Sequence, residues 1–146
     1  GKGSGHNTIL TQSDFHDKRT PPQLRKGKIC RGEDFCAEAN IAEIDLLKID
    51  VEGFEDQVLK GMGKLLEEKR VRVVQFEYGY THADIPFLMR DFYRLFNGLG
   101  YQVGRLAPRG VQFQEWSYRL NNFESGPNFV AVPEDREDWI ECVRER

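Results

Sequence analysis

The spacing of apolar positions changes several times along the chain, and each change marks an element. Residues 44–51 (Ile-Asp-Leu-Leu-Lys-Ile-Asp-Val) form a short, dense run rich in Ile, Leu and Val. A run of that length predicts a strand covered on both faces. Gly53 follows as punctuation. Over residues 54–69, Phe54, Val58, Leu59, Met62, Leu65 and Leu66 fall on one face of an α-helical period. Gly61 and Gly63 weaken that helix by about 1 kcal/mol each relative to Ala, which close packing on a sheet would explain. Residues 71–78 (Val-Arg-Val-Val-Gln-Phe-Glu-Tyr) read as a second strand by β-branched and aromatic content. Asp84 is placed to cap a helix whose first turn holds Pro86. Leu88, Phe92, Leu95, Phe96 and Leu99 carry its apolar face, and Gly98 and Gly100 end it.

Residues 101–106 and 128–132 read as two further strands. Residues 134–144 read as an amphipathic helix with Trp139, Ile140 and Val143 on its apolar side. The stretch between those strands, residues 107–127, reads as a long loop, and loops of that length are often functional. Upstream, residues 32–42 suggest one short helix with Phe35 and Ala39 on one face. Residues 1–28 are a loop-rich lead-in containing Pro21-Pro22, with a short extended piece at 8–11. Alternating strands and helices predict an α/β fold with a mostly parallel sheet. The last two strands, joined without a helical crossover, predict an antiparallel pair.

Composition narrows the class. The chain has 146 residues, 39% hydrophobic and 31% charged, which suits one globular domain. Its net charge of -3 offers no general attraction to nucleic acid or anionic lipid, so neither partner is expected. No apolar run is long enough to span a bilayer, and the first residues hold no apolar signal core. Cys30, Cys36 and Cys142 make no disulfide framework, and a reduced, cytoplasmic setting is the expectation. Cys30, Cys36 and His16 lack the spacing and the second pair of a zinc site, so no structural metal is expected.

The chemistry concentrates at two strand ends. In an open α/β sheet, ligands sit beyond the carboxyl ends of the strands. Asp50 and Glu52 lie at that end of the first strand, and Glu77 and Tyr78 at that end of the second. Neighbouring strands lie about 5 Å apart, so three carboxylates would meet at one rim. Such a cluster raises its own pKa values, does general-base work, or holds a divalent cation. Lys48 shares a strand face with Asp50 and is placed to pair with it, a pairing that is equally a structural ion pair. A metal-dependent hydrolase on these carboxylates lacks a supporting His or second aspartate motif.

The segment 44–61 resembles the most characteristic stretch of FkbM-like methyltransferases, a strand ending Lys-x-Asp-x-Glu-Gly, then Glu, then Leu-x-Gly. Lys48, Asp50, Glu52, Gly53, Glu55, Leu59 and Gly61 match it in order, and Glu77 matches the Glu ending the family's following strand. The resemblance runs from about residue 28 to residue 132. It implies the C-terminal half of a class I methyltransferase (Rossmann-like) domain over residues 29–133, closed by a C-terminal helix at 134–146. It further implies S-adenosylmethionine at the strand ends. Asp50 would be first choice for the active centre, touching cofactor and orienting or deprotonating the acceptor hydroxyl. Lys48 and Glu52 join it as catalytic candidates. Glu77, Tyr78 and His82 are the acceptor-side candidates, although a loop histidine such as His82 is more often simply on the surface.

The family's glycine-rich cofactor loop and ribose-holding acid are expected well before Asp50. Gly1-Lys-Gly-Ser-Gly5 is no substitute, since it follows no strand and leads into no helix. The strand at 44–51 should then leave an open edge, inviting self-association or a partner. Two functions stand side by side. One is an O-methyltransferase acting on a sugar or other hydroxylated small molecule. The other is a non-catalytic, truncated module working through its open edge.

Overall fold

The computed structural model describes residues 27–123 and 128–146. Expectations that fall on residues 1–26, including the extended piece at 8–11, His16 and the first glycines, lie outside the described residues. The chain is mixed α/β. Strands β1 (Ile44–Ile49), β2 (Val71–Glu77), β3 (Tyr101–Ala107), β4 (Gly110–Phe113) and β5 (Asn128–Pro133) form one sheet in the order β1-β2-β5-β3-β4. Only β1 and β2 pair in parallel; β2–β5, β5–β3 and β3–β4 are antiparallel. The mostly parallel pairing expected from the sequence is therefore not found. The reason is local: β5 returns without a helical crossover and slots between β2 and β3. Because β5 opposes both neighbours, β3 still runs in the same direction as β1 and β2.

Among the described residues, five α-helices pack around this sheet: α1 (Gly32–Glu38), α2 (Glu55–Gly61), α3 (Gly63–Glu67), α4 (Met89–Gly98) and α5 (Glu137–Val143). The main core unites Leu59, Met62, Leu65 and Leu66 with Met89, Phe92 and Phe96 over Ile49, Val74, Phe76 and Ala131. Phe76 is its centre, stacked on Phe92, Phe96 and Phe129 at centroid distances of 4.6, 5.3 and 5.8 Å. On the other face, Ile140 of α5 covers Val111, Val130 and Val132.

Four local expectations change. The helix over 54–69 breaks at Met62 into α2 and α3. The sheet does not account for its glycines: a Cβ on Gly63 would meet nothing within 4 Å and one on Gly61 would make ordinary contact with the start of α1, whereas a Cβ on Gly32 in α1 would collide with the Met62 sulfur. In α1 it is Cys36 that is buried, whereas Phe35 is exposed. The next helix begins at Met89, after a 3-10 turn at Tyr80–Asp84, and Asp91 caps it by accepting from the Leu88 N–H at 3.0 Å. Asp84 is thus not the cap. Within 107–127, β4 pairs back on β3 across a two-residue turn at Pro108 and Arg109, where Gly110 takes φ +142°.

The strand β1 is not covered on both faces. It is an edge among the described residues, and Leu46 is 57% exposed. No helix among the described residues is long and apolar enough to cross a membrane. Cys30, Cys36 and Cys142 are free thiols.

The central and edge positions should respond differently to truncation. Phe76→Ala should cost about 3–5 kcal/mol, the usual range for a buried Phe. Leu46→Ala should cost less than about 0.5 kcal/mol, as exposed substitutions do. Urea denaturation of both variants checks the contrast, and equal losses would refute the assignment of the core.

Candidate active site

Register brings the rim together. Ile49 pairs with Phe76, so Asp50 and Glu77 follow at matching heights on adjacent parallel strands. One oxygen each from Asp50, Glu52 and Glu77 lies within 4.8 Å of the others. Lys48, on the same strand face as Asp50, holds its Oδ2 at 2.5 Å. Both partners are about half exposed, so the contact orients Asp50 more than it stabilises the fold.

Glu77 differs from an ordinary surface carboxylate. Partial burial, a hydrogen bond to Asp50, and the negative fields of Asp50, Glu52 and Glu55 together push it up to about 7. Two carboxylates that share a hydrogen bond titrate as a unit, because the second charge is resisted by the first.

The turn that presents Asp50 and Glu52 is held from beneath. Glu52 has φ +53° and Gly53 has φ +101°, both left-handed. For a glutamate that conformation costs about 1–3 kcal/mol and needs outside support. Glu55, the first residue of α2, supplies it: its carboxylate accepts from the Val51 N–H at 3.1 Å and the Gly53 N–H at 3.0 Å. A groove of about 360 Å³ opens beside this turn, with Gly53, Phe54, Gln57 and Lys60 on one wall and Ile85–Phe87 on the other.

Of the sequence candidates, Lys48, Asp50, Glu52 and Glu77 assemble at one rim. Tyr78 and His82 do not face it. Tyr78 is 0% exposed and His82 1% exposed. The surface-loop expectation for His82 is overturned as well: its ring packs against Tyr78 and Phe92, with centroids 4.8 and 5.6 Å away. Glu55 entered the sequence reading only as a motif match, without a role. The signal was its place at the first turn of a helix, two residues after a glycine that closes a strand. Trp116 packs on the core while Tyr118 stays exposed, so the aromatics of the 107–127 stretch serve different ends.

A family model described as the methyltransferase FkbM domain matches residues 3–103. The match contains the whole rim and reaches back into the lead-in, earlier than the resemblance began. It stops within β3, leaving β4, β5 and α5 beyond it. No curated protein and no solved structure matches the chain.

The shift of Glu77 has a thermodynamic consequence. The fold favours its protonated form, so between about pH 4.5 and 7 the folded chain keeps a proton that the unfolded chain releases. Stability from this group is full below that window and falls as pH rises through it. Glu77→Gln, which cannot ionise, should flatten that fall. Melting temperatures of both proteins at about pH 4 and about pH 8, on either side of that window, check this. Parallel slopes would contradict it.

Proposed function

The chain belongs to the FkbM methyltransferase family, and from that premise we propose that it forms the acceptor side of an S-adenosylmethionine-dependent O-methyltransferase. The acceptor is a hydroxylated small molecule or a sugar. The observation that carries the reading is the meeting of Asp50, Glu52 and Glu77 at the ends of adjacent parallel strands. The common direction of β1, β2 and β3 supports half of a Rossmann-like sheet around that rim.

The rim suits the donor's reactive end. A sulfonium carries positive charge, and three carboxylates beside a left-handed glycine turn offer the complementary field and room for close approach. Asp50 and Glu52 would hold that end. The described residues include no strand followed by a glycine-rich turn, so the fit concerns the sulfonium side and not the adenosine. When bound, S-adenosylmethionine supplies an activated methyl group.

The chain's own residues would do the remaining work. Lys48 keeps Asp50 oriented at the rim, beside Glu77, where the acceptor hydroxyl would lie. Glu77, whose pKa is pushed up to about 7, would serve as the base that takes the hydroxyl proton. The groove between Phe54 and Phe87 lies beside this centre and combines apolar walls with a polar group in which Asp56 holds the Gln57 amide and the Lys60 ammonium, a lining that suits a hydroxylated ring.

One observation favours a second reading. The outer edge of β1 is unpaired among the described residues and carries the exposed Leu46. An edge of that kind supports a non-catalytic module that pairs with a second copy or a partner strand.

The two readings separate cleanly. Calorimetric titration of S-adenosylmethionine into the full-length protein should give binding, and Glu77→Gln should lower methyl transfer by about 10²–10⁴-fold, the usual worth of a positioned acid or base. Absence of binding removes the enzymatic reading. For the second reading, light scattering after size exclusion should report self-association that Leu46→Lys abolishes while Asp50→Asn leaves it intact. A clean monomer at high concentration removes that reading.

A further inference from the structure

The rim is built by two chain segments that arrive from different elements. The β1 end carries Asp50, Glu52, Gly53 and Phe54. The β2 end carries Glu77 and runs on through the 3-10 turn to Phe87. Between them lies a pair of polar side chains sealed from solvent: Glu55 and His82 are each 1% exposed. The Glu55 Oε2 that accepts from the Gly53 N–H also lies 3.1 Å from His82 Nε2. His82 Nδ1 in turn accepts from the Gly79 N–H at 3.4 Å. An imidazole nitrogen that accepts from an N–H carries no proton of its own, which leaves Nε2 as the nitrogen that can donate toward Glu55. One polar path therefore runs from Val51 and Gly53, through Glu55 and His82, to Gly79, two residues past Glu77.

An apolar pair of similar volume would be cheaper to bury than this one. It could not hold the two backbone donors of the left-handed turn, nor reach the Gly79 donor across the gap. The walls of the groove belong to the same two segments, with Gly53 and Phe54 on one side and Ile85 to Phe87 on the other.

We propose that Glu55 and His82 are a positioning pair that ties the two segments together, fixing the distance between Asp50–Glu52 and Glu77 and the width of the groove beside them. Neither side chain touches the acceptor. The functional meaning rests on the rim being the methyl-transfer site. The test reads no methyl transfer, so its failure is separate from a failure of that reading.

The test is NMR on the protein and its variants. In the unmodified protein, imidazole ¹⁵N shifts should show Nε2 protonated and Nδ1 bare; the opposite tautomer overturns the proposal. In His82→Phe, amide signals should move at Val51, Glu52 and Gly53, and the carboxyl ¹³C titration of Glu77 should fall back toward the ordinary range as Asp50 and Glu52 swing away. His82→Gln, which restores a donor at similar reach, should recover both signals. Amide changes confined to residues 78–83, with the Glu77 titration unmoved, would overturn the coupling. Should His82→Phe fail to fold, Glu55→Gln poses the same question from the other side: Gly79 and His82 amides must respond, and silence there overturns it equally.

Discussion

One buried carboxylate organises the chemistry-bearing end of this chain. Glu55 sits at the first turn of α2 with essentially no solvent access, and a carboxylate in that position must be fully hydrogen-bonded to be tolerated. Its partners are the Val51 and Gly53 amides and the His82 imidazole. The helix N-terminus adds a favourable field, since unpaired amides there carry partial positive charge. That arrangement stabilises a glutamate, Glu52, in a left-handed conformation that it would not adopt alone. Asp50 and Glu52 face outward because Glu55 faces inward.

From that constraint the electrostatics of the rim follow. Parallel pairing sets β1 and β2 side by side, and a common register ends both strands in carboxylates. Lys48 offsets one negative charge by pairing with Asp50. The rest of the repulsion falls on Glu77, which is partly buried and hydrogen-bonded to Asp50, and so keeps its proton to about pH 7. A carboxyl group poised there exchanges protons with a hydroxyl acceptor more readily than an ordinary one. The FkbM methyltransferase match spans this rim.

Much of the arrangement was legible in the sequence, for physical reasons that vary by element. The strands β1 and β2 announced themselves through dense β-branched runs, and their ends named Asp50, Glu52 and Glu77 as a cluster. Period-two alternation put Lys48 beside Asp50. What escaped were features set by tertiary contacts. The break at Met62 interrupts an apolar period that runs on unbroken through Leu65 and Leu66, so no local pattern reveals it. Strand β4 is only four residues long, too short for its alternation to stand out from the loop around it. The strand order depends on where β5 inserts. His82 looked like a surface loop histidine because its partner, Glu55, is distant in sequence and near only in the fold. The chemical role of Glu55 was hidden for the same reason.

The most direct test is a crystal structure of the protein with S-adenosylhomocysteine bound. The account predicts the sulfur facing the turn of Asp50, Glu52 and Gly53, with the groove between Phe54 and Phe87 left open beside it for the acceptor. A ligand seated elsewhere, against α5 or along the β4 edge, with the three carboxylates facing bulk water, would contradict it.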